Sequence, residues 1–102
     1  MVADADDDDL AFVSLTPDAA RKLARNIVEH GVVTISPHAQ EEMKNDDLIT
    51  ADCLNLLRAG TWQPPELTNN ELRYRVQTKR MCFVVVFQSP HRLRVVTGWR
   101  NR

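Results

Sequence analysis

Met81-Cys82-Phe83-Val84-Val85-Val86-Phe87 is apolar at every position. A strand with one wet face alternates apolar and polar residues, so an unbroken run like this marks a central strand with little solvent on either side. The flanking runs, Leu72 to Thr78 and Leu93 to Trp99, do alternate. Lys79-Arg80 and Ser89-Pro90-His91 separate the three runs, and connections that short imply an antiparallel meander. In the first run Leu72, Tyr74 and Val76 share one face and Arg73, Arg75 and Gln77 the other. In the third, the same period sets Leu93, Val95, Thr97 and Trp99 against Arg92, Arg94 and Val96. Strict alternation therefore collects Arg73, Arg75, Arg92 and Arg94 on one face, with no acidic partner expected on those strands. It sends Tyr74 and Thr97 to the opposite face.

Upstream of the meander the period is helical. Thr16-Pro17 reads as an N-cap followed by the first helical residue, where a missing N–H costs nothing. Ala20, Leu23, Ala24, Ile27 and Val28 then form one apolar stripe ending near His30, with Gly31 as the stop. Val32 to Ile35 is β-branched and short, a connector or a brief strand. Ser36-Pro37 repeats the cap signal and opens a second helix from His38 to about Asn45. Thr50 is expected to cap a third, Ala51 to Ala59, stopped by Gly60 and carrying Cys53, Leu54 and Leu57 as its stripe. Trp62 and Pro64-Pro65 end helical structure in a rigid crossing. Helices first and strands last predict an α+β fold, with N-terminal helices packed on one face of a small C-terminal antiparallel β-meander.

Charge follows the same division. Residues 1–52 carry twelve Asp or Glu against four Lys or Arg, and residues 53–102 carry two against nine. The overall charge of −1 hides a split of −8 and +7. A basic half points to a polyanion-facing surface, and nucleic acid is the usual polyanion. Residues 1–9 hold five aspartates, which repel one another and offer little to bury, so a disordered acidic tail is expected before a single domain over residues 10–102. Such a tail can solubilise, fold back over the basic half as a competitor, or support the first helix electrostatically. Leu10 to Leu15 reads as an edge strand or an extended lead-in. No apolar run approaches the ~20 residues that span a bilayer, and the N-terminus is acidic where a signal peptide is basic, so a cytoplasmic protein with no membrane partner is expected. Cys53 and Cys82 lie in different elements without Cys or His at ligand spacing, and read as reduced, buried thiols rather than a metal site. No cofactor is expected.

Ser36-Pro37-His38-Ala39, a short helix containing Met43, a hydrophobic helix ending in Gly60, Tyr74-Arg75-Val76, an apolar strand and Val95-Val96-Thr97 follow one another in an order that resembles a small bacterial family, the domain of unknown function 4258. That family is similar to the RelE-like and BrnT-like toxins of toxin–antitoxin systems, and the match spans about residues 32–100. The resemblance implies helices on a small antiparallel sheet, metal-independent endoribonuclease (hydrolase) activity on RNA, and an antitoxin or other acidic protein as partner. In such chemistry the ribose 2′-OH attacks its own phosphate, so a base, an acid and cations are needed. By resemblance His38 is the candidate acid/base and Thr97 matches a late threonine. A free imidazole changes charge near neutrality, so a histidine suits either role. Arg75, with Arg73, is the candidate phosphate clamp, a guanidinium being bidentate and always charged.

The family places arginines four and eight residues after the histidine, where this chain has Glu42 and Asp46. At an effective dielectric near 20, each reversal of sign removes roughly 2–4 kcal/mol of phosphate attraction before screening. Lys44, Lys79 or Arg80 would have to substitute. Two readings follow. One is a RelE-like RNA-cleaving toxin or its degenerate relative. The other is a noncatalytic module that holds nucleic acid or an acidic protein on a basic sheet. For either, Arg73, Tyr74, Lys79, Arg80, Arg92 and Arg94 are the candidate nucleic-acid contacts. Trp62 and Trp99 read as core or interface anchors.

Overall fold

Thr16 begins the ordered helical layer as its sequence requires: its hydroxyl oxygen accepts from the Ala19 N–H at 3.1 Å. The computed structural model describes residues 13–101, so the acidic segment 1–9 and the first residues of the Leu10–Leu15 run lie outside the described residues. Helix α1 (Pro17–His30) buries Ala20, Ala24 and Ile27 and ends where the Gly31 N–H reaches the Ile27 carbonyl at 2.7 Å. Strand β1 (Val32–Ile35) follows, then α2 (Pro37–Asn45) and α3 (Thr50–Ala59). The third helix is capped differently from the sequence expectation. Thr50 is already helical, Ile49 stands at the cap, and the Asp52 carboxylate accepts from the Ile49 N–H at 2.9 Å.

Six strands make a mixed sheet in the order β1-β6-β5-β4-β2, with β3 also on β4. They are β2 (Thr61–Trp62), β3 (Glu66–Thr68), β4 (Glu71–Gln77), β5 (Met81–Ser89) and β6 (Arg92–Arg100). The apolar run is the central strand, hydrogen-bonded to β4 on one side and β6 on the other, both antiparallel. The meander is therefore present, but the sheet is larger than a meander and not purely antiparallel. Val32–Ile35 joins β6 in parallel register, and the long connection between them, through α2, α3 and β2 to β5, supplies the crossover that parallel neighbours require. Pro64-Pro65 interrupts a single edge: β2 pairs with the end of β4 and β3 with its start, since proline cannot donate to the ladder.

The helices cover one face of this sheet. Tyr74, Val76, Phe83, Val85, Phe87, Leu93 and Val95 point into the core with Leu56 and Leu57 of α3. Tyr74 and Phe87 meet edge-on at 5.2 Å, and Trp62 stacks on Phe87 at 5.9 Å. The Leu15 N–H donates to the Tyr74 hydroxyl at 2.9 Å, which ties the lead-in to the sheet. Burial pushes the Tyr74 phenol up, opposed by that hydrogen bond. Both thiols are free and buried.

Candidate nucleic-acid interface

The uncovered face of the sheet is set by strand parity and by one irregularity. Val84 pairs with Thr97 while Val85 pairs with Val95, so Val96 is an extra residue in β6. A β-bulge of this kind turns every later side chain of its strand to the other face. Leu93 and Val95 enter the core, but beyond the bulge Gly98 does, lying against Phe83. A Cβ at position 98 would clash with the edge of the Phe83 ring. Thr97 and Trp99, expected with Tyr74 on the helix face, are instead on the arginine face. Arg75, Val84 and Thr97 form one cross-strand row, and Gln77, Cys82 and Trp99 the next.

Ser36 holds the bulge in place. Its N–H donates to the Val95 carbonyl, and its hydroxyl donates to the Val96 carbonyl at 3.0 Å while accepting from the Ala39 N–H. The residue that ends β1 and caps α2 thus also satisfies the backbone that the bulge would otherwise leave unpaired. Helix α2 then runs beside β6 to its far end. There the Asp46 carboxylate accepts from the Arg100 N–H at 2.6 Å, and the Asp46 carbonyl accepts from Arg100 Nε at 3.0 Å. Asp46, one of the two acids standing where the resemblance calls for arginine, is therefore occupied in fastening α2 to the sheet. Glu42 is half-buried on the same helix.

The four arginines are not equivalent. Glu71, at the start of β4, bridges Arg94 at 2.7 Å and Arg73 at 3.1 Å. This corrects the expectation that those strands lack an acidic partner: position 71 begins the strand and its carboxylate shares the arginine face. The triad is mostly shielded from solvent and carries a net +1, with Arg73 Nε buried and without a hydrogen-bond partner among the described residues. Arg75 and Arg92 are exposed and form no ion pair with a described carboxylate. They are the charges available to a ligand.

Two clefts meet at Arg73, Arg75 and Glu66. One, of about 450 Å³, opens along the sheet edge between Gln63-Pro64-Pro65 and Gln77. The other, of about 240 Å³, lies on the face and reaches Thr97 and Trp99. The Gln63 N–H donates to the Arg75 carbonyl at 2.9 Å and pins the edge segment against β4. Beneath the face, burial raises the Cys82 thiol pKa and the Arg75 charge opposes the rise.

The structure brings together Arg73, Arg75 and Thr97. Arg94 joins them through Glu71, and Arg92 lies further along β6 beside a separate surface cleft with Ser89 and His91. Lys79 and Arg80 occupy the exposed β4–β5 turn, held by Asn101, whose side-chain N–H donates to the Thr78 and Lys79 carbonyls. Tyr74 is 1% exposed in the core and offers no face to a base. His38 is exposed in the first turn of α2, two residues from the Ser36 that grips the bulge, and lines neither of the clefts around Arg75. Sequence reasoning missed Gln63 and Glu66 and put Trp99 on the wrong face. Gly98 was the available signal, since glycine inside a strand pattern marks a bulge or a close approach. No family model matches the chain, and no curated protein or solved structure does either.

Proposed function

We propose that this protein holds single-stranded RNA on the uncovered face of its sheet, with Arg75 and Arg92 neutralising phosphates and Trp99 offering a stacking surface. The observation that carries this reading is the bulge at Val96, which adds a hydroxyl and an indole to the face that carries Arg75, an exposed guanidinium with no ion pair among the described residues, and the Arg73–Glu71–Arg94 cluster. An open sheet that presents cations and an aromatic ring is a recurrent solution for unpaired nucleotides, whose bases are free to stack. A sheet face of several strands is broader than the α-helix or two-stranded ribbon that the major groove of a duplex admits.

The same surface suits the resemblance to RelE-like toxins, with an acidic antitoxin segment competing for the arginines. Cleavage of the bound RNA is a second reading, favoured by the attachment of the α2 cap to the bulge: Ser36 fixes the start of the helix bearing His38 beside the strand bearing Thr97. In that reading His38 exchanges protons with the reacting oxygens and Arg75 stabilises the phosphate.

The test is a fluorescence titration with a labelled single-stranded RNA at increasing salt. Wild type should lose affinity steeply, and Arg75→Glu with Arg92→Glu should reduce the logarithmic slope by about 1.4, two contacts at ~0.7 each. Arg73 and Arg94 are the weaker choice, because Glu71 already holds them. A titration flat in salt, or unaltered in the double variant, contradicts the proposal. For the second reading, cleavage that survives His38→Ala unchanged removes His38 from the chemistry.

A further inference from the structure

A carboxylate is out of place on a surface meant for phosphate, and the edge cleft has one. Glu66 is exposed and faces Arg73 across the β3–β4 register. It lines both clefts with Arg73 and Arg75, yet among the described residues it makes no ion pair with either. Arg73 is turned to Glu71 instead, and Arg75 pairs with no carboxylate among the described residues. An acceptor-only group and a donor-only group therefore line one cleft without satisfying each other. Around them are the amides of Gln63 and Gln77, which both donate and accept, and the apolar rings of Pro64 and Pro65. The proline pair has no N–H to lend to the sheet, which is why the edge parts there and leaves a recess.

We infer that this edge cleft is a subsite for a guanine base of the bound strand; the inference rests on the single-stranded RNA reading above. Guanine alone among the four bases presents two adjacent donors, N1–H and N2–H, that a carboxylate can accept together, and O6 and N7 beside them as acceptors for amide or guanidinium donors. Adenine sets an acceptor at N1 against the carboxylate. Cytosine offers it one exocyclic amine, and uracil one ring N–H between two carbonyls. Glu66 takes the paired donors, the glutamine amides meet the acceptor edge, and the proline rings cover a face of the base. Arg75, on the wall common to both clefts, takes the phosphate that leads to the next nucleotide beside Trp99. The volume of about 450 Å³ is within the range of sites that hold small planar ligands.

The experiment compares uridine pentamers with a single central G, A or C, at one fixed low salt concentration. Wild type should bind the guanine pentamer about tenfold more tightly than the other two, the discrimination typical of one bidentate base contact. Glu66→Gln should bring the guanine pentamer down to the affinity of the others. Equal, salt-dependent affinity for all three in wild type overturns the guanine subsite and leaves the RNA surface standing. Preference for guanine that persists in Glu66→Gln also overturns it. Failure of wild type to bind any pentamer overturns the inference together with the reading beneath it.

Discussion

The two faces of this sheet are built from alternate residues of the same three strands, yet they obey different rules. The inner face is closed by helices and holds Tyr74, Phe83, Phe87, Leu93 and Val95, all at most 1% exposed. Its energetics are those of close packing, where a lost side chain leaves a void. Among the described residues, no helix lies over the outer face. Its charges are balanced in part by Glu71 and otherwise left to solvent, and its energetics are those of screened electrostatics. What divides the faces is parity, and the bulge at Val96 reassigns the end of β6 from one set of rules to the other.

The largest effect should come from breaking the inner face. Phe87→Ala removes the ring that both Trp62 and Tyr74 pack against and should cost about 3–5 kcal/mol in urea unfolding. RNA affinity of the folded fraction should stay unchanged, because no outer-face charge moves. A loss of affinity in protein shown to be folded would mean that the faces are not independent.

The thiols sharpen the contrast. Cys53 lies in the core, where burial pushes its pKa up to about 12. An unfolded thiol titrates near 9, so the proton is retained by the folded chain and lost by the unfolded one between those values. Stability should hold below about pH 9 and fall as pH rises toward 12, by up to ~1.4 kcal/mol per pH unit for this group. Cys53→Ala should make the alkaline fall shallower in pH-dependent unfolding. Cys82, under the outer face with Arg75 opposing its shift, should be alkylated before Cys53 when both are followed by intact mass at mildly alkaline pH.

The smallest effect tests the balance within the outer face. Glu71→Gln leaves Arg73 and Arg94 without their shared carboxylate, and should lower stability by about 1 kcal/mol. It also frees a positive charge, so RNA affinity should rise severalfold while thermal stability drops. A variant that loses both would show that Glu71 positions the arginines rather than restraining them.

Much of this was legible in the chain. Helix starts at Pro17 and Pro37 follow from Thr16 and Ser36, and the central position of the 81–87 run follows from its unbroken apolarity. The parallel pairing of Val32–Ile35 was not legible, because a four-residue β-branched segment says nothing about which edge it will join. Glu71 was overlooked as an outer-face group because it sits at the boundary where the period changes. The face of Thr97 was misread because alternation holds only while the register is continuous. The one residue that contradicted it, Gly98, has no side chain to be counted as polar or apolar. The pairing of β3 with β4, which brings Glu66 to the arginines, depends on the turn at Asn69 and Asn70. Both adopt positive φ, 52° and 63°, a conformation asparagine tolerates better than most residues, and this was the only local hint of a hairpin there.

Backbone amide shifts followed during titration of single-stranded RNA into labelled protein would separate the two faces residue by residue. Binding at the outer face predicts that the largest shifts fall on Arg73, Arg75, Thr97 and Trp99, with Glu66 and Arg92 following and α1 and α3 unmoved. Shifts concentrated on the helices, or none at an excess of RNA, would contradict the assignment of this sheet face to nucleic acid.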